Sequence, residues 1–188
     1  MSDGSCGIRV NWRDSDNERV GSGRRVFRDI LVAIDGSNHG DRALAEAADL
    51  ARRDNARLTI LTCVPDQSAW LLSGGGYGGA IDYAALAEET EREYRELLDK
   101  AVSAVPPEVT VTKQLTHGRP GDRILEQMKS GNHDLLVMGS RGRGNVRSLV
   151  LGSVSHQVLN AAPAAVLIVH AAIGDEPDGE PGSSPQPT

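Results

Sequence analysis

An open, five-stranded parallel sheet with helices on both faces is the fold class this sequence predicts, and three observations carry it. Short apolar runs alternate five times with stretches of helical spacing. The runs are continuous, Ile30-Leu31-Val32-Ala33-Ile34 being the clearest, as strands buried on both faces are. Aromatic residues make up only 3% of the 188 positions, so the core must be built from Val, Ile, Leu and Ala, which disfavours an aromatic-rich all-β sandwich. Parallel strands need crossover connections, and these are almost always right-handed. Five such units wind into a twisted α/β sheet.

Taken in order, the first strand ends in Asp35-Gly36-Ser37, a turn. Leu44, Ala47, Ala48 and Ala51 then fall at i, i+3, i+4 and i+7 of a helix, with Ser37 or Asn38 as its N-cap. Leu58 to Val64 is a second strand, stopped by Pro65. From Pro65 to about Asp82 runs a glycine-rich loop containing Trp70 and Tyr77, which reads equally as a flap or as a plain connection. Tyr83, Leu86, Ala87, Thr90, Tyr94, Leu97, Leu98 and Ala101 form the stripe of the longest helix. Val109 to Thr112 opens a third strand, polar enough to lie at an edge. A short helix spans Gly121–Lys129, a fourth strand Leu135–Met138, a last helix about Ser148–Asn160, and a fifth strand Ala165–Val169.

The two ends have another composition. Residues 1–28 are polar and rich in Gly, Ser, Arg and Asp; residues 174–188 are acidic and rich in Pro, Gly and Ser. Both read as disordered tails flanking one domain at 29–173. The whole chain carries a net charge of −6, which argues against nonspecific nucleic-acid binding. No N-terminal apolar segment of the signal-peptide kind is present, and no apolar run nears the ~20 residues that cross a bilayer. Two cysteines, Cys6 and Cys63, cannot make a secreted-type disulfide framework. A cytoplasmic protein without a membrane anchor is the expectation.

In open parallel sheets ligands bind at the carboxyl ends of the strands, where the winding direction reverses. That brings Asp35 and Gly139 into view together. After the fourth strand comes Gly139-Ser140-Arg141-Gly142-Arg143-Gly144 and then, eight positions on, Gly152-Ser153. Glycines let the backbone approach phosphate oxygens, and the free amides of a following helix favour negative charge. Arg141 and Arg143 add positive charge to an acidic domain. A solvated surface loop whose glycines serve only the turn is the competing reading, and spacing alone leaves the two near even. The Walker loop is excluded because Asn145 follows Gly144 where lysine is required, and the dinucleotide fingerprint because Arg147 holds its last glycine position. The five histidines show no metal-ligand spacing, and no nucleophile elbow is supported. No catalytic residue and no metal site is assigned.

The spacing Gly139-x2-Gly142-x9-Gly152-Ser153, the opening ILVAIDGS and the closing apolar strand together resemble the ATP-binding universal stress proteins, over about residues 28 to 170. The resemblance implies a Rossmann-like sheet of the adenine nucleotide alpha hydrolase type. It implies that Asp35 contacts the ribose or the metal-bound phosphates, with Ala33 and Ile34 lining the same side. Val64 would face the adenine through its backbone, and Met138 and Gly139 would lie against the ribose. Gly142, Gly152, Ser153, Val154 and Ser155 would hold the phosphates. ATP, with Mg²⁺ as a companion ion, is the implied ligand, and pairing of the last strand with a second copy is the implied route to a homodimer. An apolar edge strand left open would invite that pairing in any case. Ala162-Pro163-Ala164-Ala165 departs from the Cys-Pro-Val run many members carry, outside the site. The favoured function is a nucleotide-responsive stress regulator that is not an enzyme. The alternatives are a slow ATPase or autokinase with Ser153 or Ser155 as phosphoacceptor, and an interaction module that takes cAMP or a protein partner.

Overall fold

The computed structural model describes residues 9–11, 27–65, 83–143 and 151–170. Their elements, in chain order, are β1 (Arg9–Asn11), β2 (Asp29–Ala33), α1 (Asn38–Asp54), β3 (Arg57–Val64), α2 (Tyr83–Ala104), β4 (Val111–His117), α3 (Pro120–Ser130), β5 (Leu135–Gly139), α4 (Ser153–Ala161) and β6 (Ala165–Val169).

The sheet order is β1-β6-β5-β2-β3-β4. The five strands read from the sequence are all parallel. From β2 the chain winds outward through β3 and β4, then returns to β5 on the other side of β2 and winds out through β6. The reversal lies between β2 and β5, whose ends meet at Ala33 and Met138. A ligand crevice is expected at that point.

Strand alternation sorts the core into two layers. Ile30, Val32, Leu58, Ile60, Leu135 and Val137 pack on one face with Ala43, Ala47 and Ala51 of α1 and Leu98 and Ala101 of α2. Leu31, Leu61, Leu136, Met138, Val166 and Ile168 pack on the other with Ile124 and Met128 of α3 and Val158 of α4. Both faces of β2 and β5 are therefore covered, which is why these strands read as unbroken apolar runs. β4 does lie at an edge, as its polarity predicts.

Local chemistry fixes the helix ends. Ser37, of the two predicted caps, is the N-cap of α1, its hydroxyl accepting the Gly40 amide at 3.2 Å. Asn55 closes the helix in the left-handed conformation, with Arg52 and Arg53 in the last turn complementing the helix dipole. The last helix begins later than its apolar pattern predicts. Leu151 and Gly152 are non-helical, and extended backbone at Gly152 makes it the N-cap of a helix that starts at Ser153. The predicted start at Ser148, the glycine-rich loop with Trp70 and Tyr77, and the tail 174–188 lie outside the described residues.

The N-terminal segment differs from its sequence expectation. Arg9–Asn11 forms β1, antiparallel to β6, with Arg9 opposite Ile168, Val10 opposite Leu167 and Asn11 opposite Val166. The outer edge of β6, expected to be open, is thus covered by the chain's own backbone. Three residues are too few for an alternation pattern, and the pairing rests on backbone groups that any sequence supplies.

His133 sits in the turn before β5 and is only 8% exposed. Burial lowers its pKa from the usual value, against the opposing pull of Asp29 and Asp134 and with a small further push from Arg57. The unfolded chain therefore takes up a proton near pH 6.5 that the folded chain refuses until lower pH. Stability should be full above that pH and fall as the pH drops through the folded value. His133→Gln should flatten the decline of melting temperature between neutral pH and pH 5, and an unchanged slope would assign the decline to other groups.

Candidate functional site

The carboxyl ends of β2 and β5 are bound together by one side chain. Asp35 follows β2, and its Oδ1 accepts the Ser37 amide at 3.1 Å and the Ser37 hydroxyl at 2.6 Å. Its Oδ2 accepts the Arg143 amide, 108 positions along the chain, at 3.0 Å. Asp35 thus holds the turn into α1 with one oxygen and the glycine-rich loop with the other. Between them Gly36 adopts φ +78, a conformation L side chains rarely take. A Cβ there would also lie 2.8 Å from the Arg143 guanidinium. Gly142 is equally close-fitting, since its Cβ would stand 2.5 Å from Asp35 Oδ2.

The loop is held from beneath as well. Ser140, fully buried, donates its amide to Val169 O at 2.8 Å, and its carbonyl accepts the Gly152 amide at 2.8 Å. Its hydroxyl lies 3.1 Å from His39 Nδ1 of α1. Ser155 donates its hydroxyl to Gly139 O at 2.9 Å. That contact fixes the start of α4 against the end of β5 and turns the Ser155 hydroxyl toward the backbone. Thr62 Oγ1 likewise donates to Ile34 O at 2.9 Å, securing the end of β2 on β3.

These elements surround one cavity of about 480 Å³. Of the predicted site residues, Ala33, Ile34, Asp35, Met138, Gly139, Arg141, Gly142, Arg143, Gly152, Ser153, Val154 and Ser155 all line it. Val64 does not. It is buried, and its carbonyl accepts the Gly118 amide at 3.0 Å, while Cys63 and Pro65 on either side reach the cavity. The remaining wall was not foreseen: Gly40, Leu61, Tyr94, Pro120 and Ile124 contribute. Tyr94 belongs to the α2 stripe, but helical spacing gives the stripe and not which of its members borders a void.

The electrostatics are asymmetric. Arg141 and Arg143 face a lining in which Asp35 is the single carboxylate among the described residues. The Arg143 guanidinium stands 5.1 Å from the centre of the Tyr94 ring, a cation–π contact. Burial pushes the Tyr94 hydroxyl pKa up, with Arg143 opposing and Asp35 adding to the rise. Burial also pushes the Cys63 thiol up, against Thr116 and Arg123, so Cys63 lines the cavity as a neutral, weakly nucleophilic group. No side chain caps α4 at Gly152, and first-turn amides without a side-chain cap are suited to an anion. No cluster of three or more His, Cys, Asp or Glu able to hold a metal occurs among the described residues.

Comparison with known proteins gives the fold its family. Residues 27–170 match the model of the universal stress protein family. A universal stress protein of Thermus aquaticus is 37% identical over 145 residues, which span 77% of this chain and 99% of the relative. The solved structure of the protein MJ0577 superposes with a TM-score of 0.67 over 79% of this chain and 99% of its own, at 18% identity, and shows the shared fold. A universal stress protein solved in complex with cAMP is 26% identical, with a TM-score of 0.53 over 79% of this chain and all of its own. From β2 to the end of β6, the chain belongs to the universal stress protein family.

Proposed function

We propose that the cavity binds an adenine nucleotide, ATP in the first place, and that its occupancy regulates a dimeric, cytoplasmic stress-response protein without substantial catalysis. The observation that carries this reading is the convergence on one cavity of three features whose chemistry suits an anion. These are the Gly139–Arg143 loop, the uncapped start of α4, and two arginines. A relative with cAMP in its structure supports the adenine nucleotide class and keeps cAMP as the second ligand to test. Mg²⁺ would come with ATP, since it is usually held by substrate phosphates plus one or two carboxylates. Asp35, the one carboxylate lining the cavity among the described residues, would be the residue to meet it, through lone pairs its hydrogen bonds to Ser37 and Arg143 leave open. No helix among the described residues is long and apolar enough to cross a membrane. The dimer would form through β6.

Against a slow ATPase or autokinase stands the shortage of a general base. Asp35 is the one carboxylate lining the cavity among the described residues, and both its oxygens already accept hydrogen bonds. A base must reach the proton it removes.

Calorimetric titration with ATP and Mg²⁺, and separately with cAMP, tests the reading against a Gly142→Arg, Ser153→Ala double variant. Saturable ATP binding in the wild type, lost in the double variant, is expected, with no phosphate release above background. No heat and no thermal shift with any adenine nucleotide would overturn it and favour an interaction module.

A further inference from the structure

β6 is an apolar strand whose two faces are covered by the core layers. Its outer edge carries a row of backbone N–H and C=O groups that must pair or meet water. β1 pairs with three of its five residues, Val166 to Ile168, and runs antiparallel. A second copy related by a two-fold axis would present its own β6 to this edge, also antiparallel and self-complementary. β1 therefore stands where a partner's strand would stand, in the same direction sense, with a shorter ladder.

The competition is between tether and length. β1 is joined to β2 by residues 12–28, and a short tether presents its segment at an effective concentration on the order of millimolar. A second copy at micromolar concentration must offset that advantage with its longer ladder. The contested strand also touches the cavity loop, because Val169 O accepts the Ser140 amide at 2.8 Å.

We propose that the outer edge of β6 is an interface for a second copy of this chain, occupied in cis by β1, so that the N-terminal segment sets the strength of dimerisation. The proposal rests on the dimer reading given above and adds its control. Dimer formation then requires β1 to leave β6, and any influence that releases the N-terminal segment promotes assembly.

Sedimentation velocity of the full chain across the micromolar range tests this with two variants. Val10→Pro puts a residue without an N–H in the middle of β1. It should dimerise at least about tenfold more tightly than the wild type, a difference of about 1.4 kcal/mol. The triple variant Cys6→Ser, Val10→Cys, Leu167→Cys locks the edge. Val10 and Leu167 are directly opposed, and antiparallel partners lie about 4.5–5.5 Å apart, within the span of a disulfide. Oxidised, it should remain monomeric at every concentration, and reduction should restore wild-type association. Equal dissociation constants for wild type and Val10→Pro would overturn the control while leaving the dimer standing. Monomers at all concentrations in every variant would overturn both. A disulfide that links two chains would show β1 lying in trans and would overturn the cis arrangement. If Val10→Pro loses its fold by circular dichroism, the locked variant decides alone.

Discussion

Gly142→Val is expected to weaken ATP binding at least about 100-fold, or about 2.7 kcal/mol, while the fold survives. A Cβ at this position would meet Asp35 Oδ2 at 2.5 Å. The carboxylate has little freedom to recede, since the Ser37 amide, the Ser37 hydroxyl and the Arg143 amide all hold it. The loop must lift instead, and that parts Arg143 N from Asp35 and moves the glycine backbone away from the cavity. A hydrogen bond to a charged group contributes about 1.5–3 kcal/mol, and overpacking typically costs about 1–3 kcal/mol. The second cost should appear as a modest fall in melting temperature. Calorimetry alongside thermal unfolding separates the two. Affinity within threefold of wild type, with the melting temperature lowered, would show that the loop shapes the fold and not the ligand site.

Leu136→Ala should destabilise the protein by about 2–5 kcal/mol, the usual cost of truncating a buried leucine. Leu136 has no exposed surface and lies in β5 between Leu31 on β2 and Val166 on β6. It packs in the layer covered by α3 and α4. Domains have about 5–15 kcal/mol in total, so this one change removes a large share. The partly buried Leu125 on α3 borders the same layer, and Leu125→Ala should cost clearly less. Chemical denaturation of both variants checks the ranking, and equal midpoints would mean that this layer tolerates a void at Leu136 better than its packing suggests.

The sheet was legible because β2, β3, β5 and β6 bury both faces, and continuous apolar runs such as Ile30–Ile34 have few other uses. The cap at Ser37 was legible because its hydroxyl answers a local need within three residues. The wall of the cavity was readable where its residues lie at strand ends in sequence, as Asp35 and Gly139 do. What could not be read depends on contacts between distant segments. Tyr94 reaches the cavity because α2 packs across β3 and β4, and Arg143 meets its ring there. Val64 misses it because Gly118 engages its carbonyl. The double use of Asp35 is equally hidden, since the Arg143 amide is as anonymous in sequence as any other. β1 escaped for a related reason: a three-residue ladder leaves no periodic trace.

The central pairing of β2 with β5 also has a consequence for synthesis. Asp29 and Asp134, at the starts of the two strands, are 105 positions apart. β3 can join β2 soon after translation, but the opposite edge of β2 has no native partner until β5 emerges. At about 5–20 residues per second, a nascent chain would carry that apolar edge unpaired for roughly 5–20 seconds. The strand at the heart of the finished sheet therefore waits for more than a hundred residues of further synthesis before it gains its second neighbour. During that interval the growing polypeptide is most open to mispairing on the ribosome and to capture by chaperones.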